Sequence, residues 1–360
     1  MKIGIISMQK IHNYGSFLQA FSLKIQLEKR GHEVYFIDII PGKKIAEEET
    51  QVKGNSIFSK LDKYFFKRIE NYFLSKKMAK IHIGDYTKYL ETDKKGENQY
   101  DLIIIGSDEV FNATAPTPWG FSSQLFGKVD NAAHVVTYAA SCGSTTYESA
   151  EKYGIVNELY EAMSNLEHIS VRDENTARFV KKILNKEPTI NLDPVFISNF
   201  DQYIPEIKRK KPYLLVYAYG NRICDESEIN AIKSYAKNHG LEIISVGMQQ
   251  RWCKNNLTAN AFELLGYIKG AECIVTDTFH GTVFSTKYNK RFISIIRESN
   301  RNKLGGLLNQ LGLADRSVSD MNYLETVMNT DIDYEEINNI IELEQQRAYD
   351  YFDMITNVGE

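Results

Sequence analysis

The chain has 360 residues, 43% of them hydrophobic and 25% charged, which are the proportions of an ordinary globular protein large enough for two domains. Its formal charge of −4 gives no global reason to expect a nucleic-acid partner. No apolar run approaches the ~20 residues that span a bilayer.

The four cysteines, Cys142, Cys224, Cys253 and Cys273, form no C-x-x-C pair, so neither a zinc site nor a disulfide framework is indicated. Reduced thiols and a start directly on a strand-like run, without a signal-peptide core, point to the cytoplasm.

Residues 2–6 read as a buried strand and 15–30 as an amphipathic helix ended by Gly31. Residues 34–40 read as a second strand stopped by Pro41. The loop between the first strand and its helix, His12-Asn13-Tyr14-Gly15-Ser16, lacks the G-x-G-x-x-G spacing of a dinucleotide site. Residues 43–99 form a charged, mostly helical insertion. Its segment 59–81 mixes Lys60, Lys63, Lys67, Arg68, Lys76 and Lys77 with Tyr64, Phe65, Phe66, Tyr72 and Phe73. Such a helix either lies on an anionic membrane or packs its aromatic face on the domain. The first choice would place the protein at the inner face of the membrane as a peripheral contact.

Strand patterns resume at 101–105, 135–139, 169–171 and 189–192, with helices at 148–163 and 173–184. A charged linker, Lys208-Arg209-Lys210-Lys211-Pro212, reads as a solvated hinge. Beyond it, strands at 213–217, 242–246, 273–275 and 292–296 alternate with helices at 226–239, 261–269, 282–288 and 303–310. A last helix covers 334–356. The expected fold class is α/β, with two Rossmann-like domains around a central cleft. The domains are residues 1–207, with the insertion, and 208–330. The C-terminal helix, 331–360, crosses back to the first domain.

Several polar residues fall where strands end, the edge at which open α/β sheets gather ligands. The first group is Gly106-Ser107-Asp108-Glu109 with Asn112. Asp108 either serves as a base or caps a short helix. Ser141 sits in a small-residue loop. Arg172 ends another strand and either binds an anion through its fork or pairs with Asp173, Glu174 or a neighbour. Glu272–Gly281 carries Asp277-Thr278-Phe279-His280-Gly281 into a helix mouth, an anion-binding position, and makes His280 the leading candidate for chemistry. Arg297 and Arg301 follow on the same edge, where either holds an anion or makes a surface ion pair. His32, His82 and His239 read as surface or helix-end residues. No histidine pair has metal-ligand spacing, so no metal is expected.

Five motifs appear in order: Asn13–Phe21 (N-Y-G-S-F-L-Q-A-F), Ile104–Asn112 (I-I-G-S-D-E-V-F-N), Ile169–Asp173 (I-S-V-R-D), Leu192–Pro194 (L-D-P) and Asp277–Thr282 (D-T-F-H-G-T). Together they resemble the polysaccharide pyruvyl transferase family, from about residue 3 to about residue 312. The resemblance implies a GT-B-like fold and phosphoenolpyruvate as donor substrate, with no further cofactor. It also implies a saccharide or lipid-linked oligosaccharide acceptor and a pyruvate ketal as product, in surface polysaccharide biosynthesis.

On the same resemblance, His280 is catalytic with Asp108. Arg172, Arg297, Arg301, Gly281 and Thr282 are donor-binding, and His12, Asn13, Tyr14, Asn112 and Ser141 are acceptor-binding. Many members carry Arg two residues before this His, where this chain has Thr278. Either Arg297 or Arg301 then supplies the charge, or the donor or acceptor geometry differs. A nucleotide-sugar glycosyltransferase of the same architecture and a non-catalytic glycan-binding relative are the alternative readings.

Overall fold

The computed structural model describes residues 1–45, 63–94, 96, 99–220 and 222–357, with the backbone alone for 63–73. Two parallel six-stranded sheets organise it. The first comprises β1 (Lys2–Ile6), β2 (Glu33–Phe36), β3 (Tyr100–Asp108), β4 (Ala132–Ala140), β5 (Ser170–Val171) and β6 (Thr189–Ile190), in the order β2-β1-β3-β4-β5-β6. The second comprises β7 (Tyr213–Tyr217), β8 (Glu242–Val246), β9 (Asn255–Leu257), β10 (Cys273–Thr276), β11 (Arg291–Ile295) and β12 (Ser317–Val318), in the order β12-β11-β10-β7-β8-β9. Central strands such as Ile103–Ile105 are buried on both faces, which is why they read as unbroken apolar runs. Strand order reverses between β1 and β3 in one sheet and between β7 and β10 in the other. A crevice opens outside the carboxyl ends of the strands at such points.

The helices of the first half are α1 (Tyr14–Glu28), α2 (Lys63–Asp85), α3 (Tyr147–Lys152), α4 (Val156–Met163), α5 (Glu174–Leu184) and α6 (Pro194–Ile197). Those of the second are α7 (Glu226–Asn238), α8 (Ala261–Gly270), α9 (Phe279–Lys287), α10 (Arg301–Gln310), α11 (Leu324–Asn329) and α12 (Tyr334–Thr356).

Four readings of the sequence are corrected. The helix expected over 148–163 is two, because Gly154 turns left-handed at φ +66° between α3 and α4. The helix expected from 282 starts at Phe279, because Thr278 is its N-cap and accepts the Gly281 amide at 2.9 Å. The second strand ends at Phe36 rather than 40, since its last ladder bond is Ile37 N–H to the Ile5 carbonyl, 2.8 Å. The short edge strands β9 and β12 were not anticipated, because neither carries an alternating apolar pattern.

The two sheets share a core. Phe17 and Phe21 of α1 meet Phe262 of α8 edge-on, with centroids 5.9 and 5.5 Å apart. Asp85, at the end of α2, accepts the Ala261 amide at 3.1 Å and so caps the start of α8 from the other half of the molecule. At the C-terminus, α12 packs on the first sheet. Tyr351 Oη donates to the Thr137 carbonyl at 2.8 Å, and Phe352 stacks on Tyr138 at 4.6 Å.

Among the described residues no helix is long and apolar enough to cross a membrane. The aromatic side chains proposed for membrane contact, Tyr64 to Phe73, lie outside the described residues. His82, read as a surface or helix-end residue, lies in the last turn of α2 but is only 6% exposed, because α2 lays it against the ring of Tyr14.

Candidate functional site

Both reversal points open onto one cleft of about 240 Å³. Asp108 and Glu109 enter from the end of β3, Tyr217 and Tyr219 from β7, and Asp277 to His280 from β10. The first turn of α1 adds Asn13 and Ser16, and the first turn of α10 adds Lys303.

At its floor lie His280, Asp193 and Arg172. His280 is 8% exposed, and its Nε2 lies 3.4 Å from Asp193 Oδ2, too poorly aligned for a hydrogen bond. Asp193 is the N-cap of α6 and accepts the Val195 amide at 3.1 Å and Arg172 Nη1 at 3.0 Å. Burial alone would push this carboxyl up, but the neighbouring His280 and Arg172 outweigh it and hold it below the usual range. Arg172 is buried, yet Asp193 and Asp108 keep its guanidinium firmly charged. That guanidinium also lies 4.0 Å over the Phe279 ring. The salt-bridge partner foreseen in Asp173 or Glu174 is therefore Asp193, while Asp173 caps α5 through the Thr176 amide, 2.8 Å.

Asp108 does not cap a helix. It ends β3 at φ +69°, a conformation rare outside glycine and concentrated at functional sites. Ser16 Oγ donates to its carboxylate at 2.7 Å, and Arg172 Nη1 lies 3.7 Å away. Glu109 is ion-paired with Lys303 across the cleft and accepts Asn112 Nδ2 at 2.6 Å. Against the cost of burial, Lys303 holds Glu109 below its ordinary range. Asp277 is fully buried and accepts the Tyr219 amide at 3.1 Å. Burial pushes its carboxyl up, although Arg222 lies 3.7 Å away.

The cleft thus gathers His280, Asp108, Arg172, Asn112 and Asn13 of the residues foreseen, and it does not gather the rest. Arg297 does not line it, because its guanidinium forks onto Glu228 at 3.0 and 3.1 Å. Arg301 points into a separate groove with Arg178 and Arg347. The Gly281 amide is taken by Thr278 Oγ1, and Thr282 is fully buried with its hydroxyl 2.6 Å from Ser294. Ser141 is buried and donates to Asp173 at 3.0 Å, and Tyr14 is buried and donates to the Ala259 carbonyl at 2.7 Å. His12 lies in a neighbouring pocket. Neither Arg297 nor Arg301 therefore lines the cleft, although Arg297 Nε lies 3.9 Å from Asp277 Oδ2. The cations that line the cleft beside Arg172 are Arg222 and Lys303.

Sequence reading also missed Asp193, although Leu192–Pro194 was among the motifs. A carboxylate before proline reads as a helix cap, and only packing brings its second oxygen to His280 and Arg172. Gly15 was missed as well. A Cβ there would lie 2.0 Å from His280 Nδ1, so this helix turn must be bare for the imidazole to fit. Gly15→Ala is therefore expected to cut turnover at least ~100-fold by displacing His280, since small misplacements at a reacting centre carry penalties of that order. Steady-state kinetics and a melting curve on the same sample check it, and unchanged kcat would remove the steric argument.

One feature of the walls points to a ligand. His280 Nε2, Arg172 Nε, Tyr217 Oη and Asp277 Oδ2 are all buried without a hydrogen-bond partner, and all belong to residues lining this cleft. Folded proteins leave few such groups, and each costs stability unless something satisfies it. Among the described residues no cluster of three or more His, Cys, Asp or Glu side chains is placed to hold a metal ion.

A family model described as polysaccharide pyruvyl transferase matches residues 13–299. No curated protein matches the chain in sequence. Among solved structures, one assigned as a UDP-N-acetylglucosamine 2-epimerase from Listeria monocytogenes is similar, with a TM-score of 0.55 and 8% identity over 100% of this chain and 97% of the other. MnaA from S. aureus, solved with UDP, gives 0.53 and 10% identity over 99% and 98%. The glycotransferase of kitacinnamycin gives 0.50 and 12% identity over 98% of each chain. At these identities the likeness concerns the fold, which is GT-B-like.

Proposed function

This chain belongs to the polysaccharide pyruvyl transferase family, and from that premise we propose that it moves the pyruvyl group of phosphoenolpyruvate onto two hydroxyls of a sugar in a surface polysaccharide or its lipid-linked precursor. The observation that carries the donor assignment is the convergence of Arg172, Arg222 and Lys303 on the cleft that holds His280. Phosphoenolpyruvate bears about three negative charges near neutrality and needs such cations around it.

In the reaction, His280 gives a proton to the enol methylene, and a sugar hydroxyl adds to C2 as Asp108 takes its proton. The C2–O bond to phosphate then breaks, phosphate leaves with the electron pair, and a second hydroxyl closes the ketal with loss of its proton. Asp193, held below the usual carboxylate range, stays ionised 3.4 Å from His280 Nε2 and places a negative charge beside the ring. Asp108 is suited to the base step by its place on the cleft wall, where Ser16 Oγ and Arg172 hold one carboxylate.

In this reading the Lys303–Glu109 pair opens when the donor enters, since the donor phosphate competes with the Glu109 carboxylate for the ammonium. Lys303→Ala and Arg222→Ala are each expected to raise the donor KM about tenfold or more with a smaller change in kcat. Arg297→Ala should leave the donor KM unchanged, because its guanidinium is held by Glu228. A donor KM that responds to Arg297 and to neither of the other two would reverse the assignment.

The decisive assay is phosphate release from phosphoenolpyruvate in the presence of galactosides, glucosides and mannosides. Release that requires both donor and saccharide is the expected result. Stabilisation by nucleotide sugars, with no response to phosphoenolpyruvate, would favour a glycosyltransferase instead.

A further inference from the structure

Beside the cleft lies a second pocket of about 370 Å³, and Asn13 and Met248 line both, so the two spaces adjoin. We propose that this side pocket is a sugar subsite for the residue next to the one being modified, so that the acceptor is a disaccharide or longer chain rather than a free monosaccharide. The proposal rests on the function given above and names the acceptor of that same site.

Three elements build the pocket: the β1–α1 loop with His12, helix α2 with Met78, Ala79 and His82, and the loop after β8 with Met248. Its size falls within the ~300–1,000 Å³ of small-ligand sites. Unlike the cleft, it is lined by no Lys, Arg, Asp or Glu among the described residues. A phosphate or nucleotide would need cations that the pocket lacks, whereas a neutral sugar would not.

The lining also has the two-sided chemistry of a pyranose, which shows an apolar C–H face and a polar rim. The imidazoles of His12 and His82 lie nearly parallel, 12° apart with centroids at 5.8 Å, and His82 also meets the ring of Tyr14 at 4.7 Å. His12 is the solvent-exposed member of the pair. Met78, Ala79 and Met248 supply apolar surface, while Asn13 and Gln249 supply amides.

His82 is 6% exposed and its Nδ1 has no hydrogen-bond partner, a cost that a hydroxyl or a water entering the pocket would offset. Burial pushes this imidazole down to about 4, so His82 itself stays uncharged near neutral pH. Gly247, at φ +77°, keeps the pocket wall clear, since a Cβ there would lie 2.2 Å from the Tyr14 ring.

The test compares galactose, glucose and mannose with their β-linked disaccharides on the full chain. The variants are His12→Ala, at an exposed position, and Ala79→Trp, which fills the pocket. The expected result is a disaccharide KM at least about tenfold below that of the matching monosaccharide in the parent protein. Both variants should lose most of that advantage and keep the monosaccharide rate and the donor KM. Equal KM values for the two acceptor sizes in the parent, or an advantage untouched by both variants, would overturn the subsite.

Saturation-transfer NMR on the same sugars reads the pocket without turnover. A disaccharide preference that both variants abolish, with no phosphate release from any acceptor, would leave the subsite standing and remove the pyruvyl-transfer reading. No binding of any disaccharide in the panel would overturn the subsite itself.

Discussion

His280→Ala lowers kcat by about 10²–10⁴-fold, the range for losing a general acid, and leaves the melting temperature within a few degrees of the parent. The chemistry requires a proton on a carbon that is a weak base, and His280 is the only histidine lining the cleft among the described residues. The fold should tolerate the loss, because Asp193 keeps Arg172 at 3.0 Å and the Val195 amide at 3.1 Å. Asp193→Asn should show a smaller fall in kcat with the donor KM nearly unchanged, as expected of a residue that positions another. Phosphate-release kinetics beside melting curves measure both. Near-normal turnover in His280→Ala would remove it from the mechanism.

Arg172→Ala has the largest expected effect on stability, about 3–5 kcal/mol, because it strips the main counterion from buried carboxylates. Asp193 is fully buried and would keep only the imidazole of His280 and the Val195 amide beside it. Asp108 would lose the guanidinium at 3.7 Å, and Phe279 would lose the cation over its ring. Turnover should fall with it, since Arg172 lines the cleft with Arg222 and Lys303, the cations proposed to hold the donor. The double variant Arg172→Met, Asp193→Asn separates the two roles. It should recover much of the stability, as no uncompensated charge remains at the pair, and still lack activity. Denaturant unfolding midpoints and single-turnover phosphate release report the two quantities. A single variant as stable as the parent would show that the pair is not needed to hold the fold.

Much of the architecture is written locally. The apolar runs at 102–105 and 213–217 are strands buried on both faces, and the span 334–356 matches α12 to the residue. Boundaries were less legible. One glycine at a left-handed position divides α3 from α4, and one threonine hydroxyl moves the start of α9 by three residues. The site shows the same division. His280, Arg172 and Asp108 stood out because each ends a strand, and strand ends in α/β sheets meet ligands. Arg297 stands at a strand end too, but the sequence left open whether it binds an anion or pairs, because its partner Glu228 is 69 residues away and no local pattern announces it.

By itself, then, the sequence determined the alternating α/β order, the family and the residues that end the strands, since these depend on periodicity and short motifs. The tertiary structure decided which of those residues face one another. It brought Asp193 of the L-D-P motif to His280, paired Arg297 with Glu228, and placed Lys303 and Arg222 on the cleft wall. It also gave Gly15 its reason, because the space that glycine leaves is filled by an imidazole 265 residues later in the chain. Helix and strand patterns arise from neighbours in sequence. Ion pairs, close approaches and pockets arise from contacts between distant segments, which only packing of the two sheets creates.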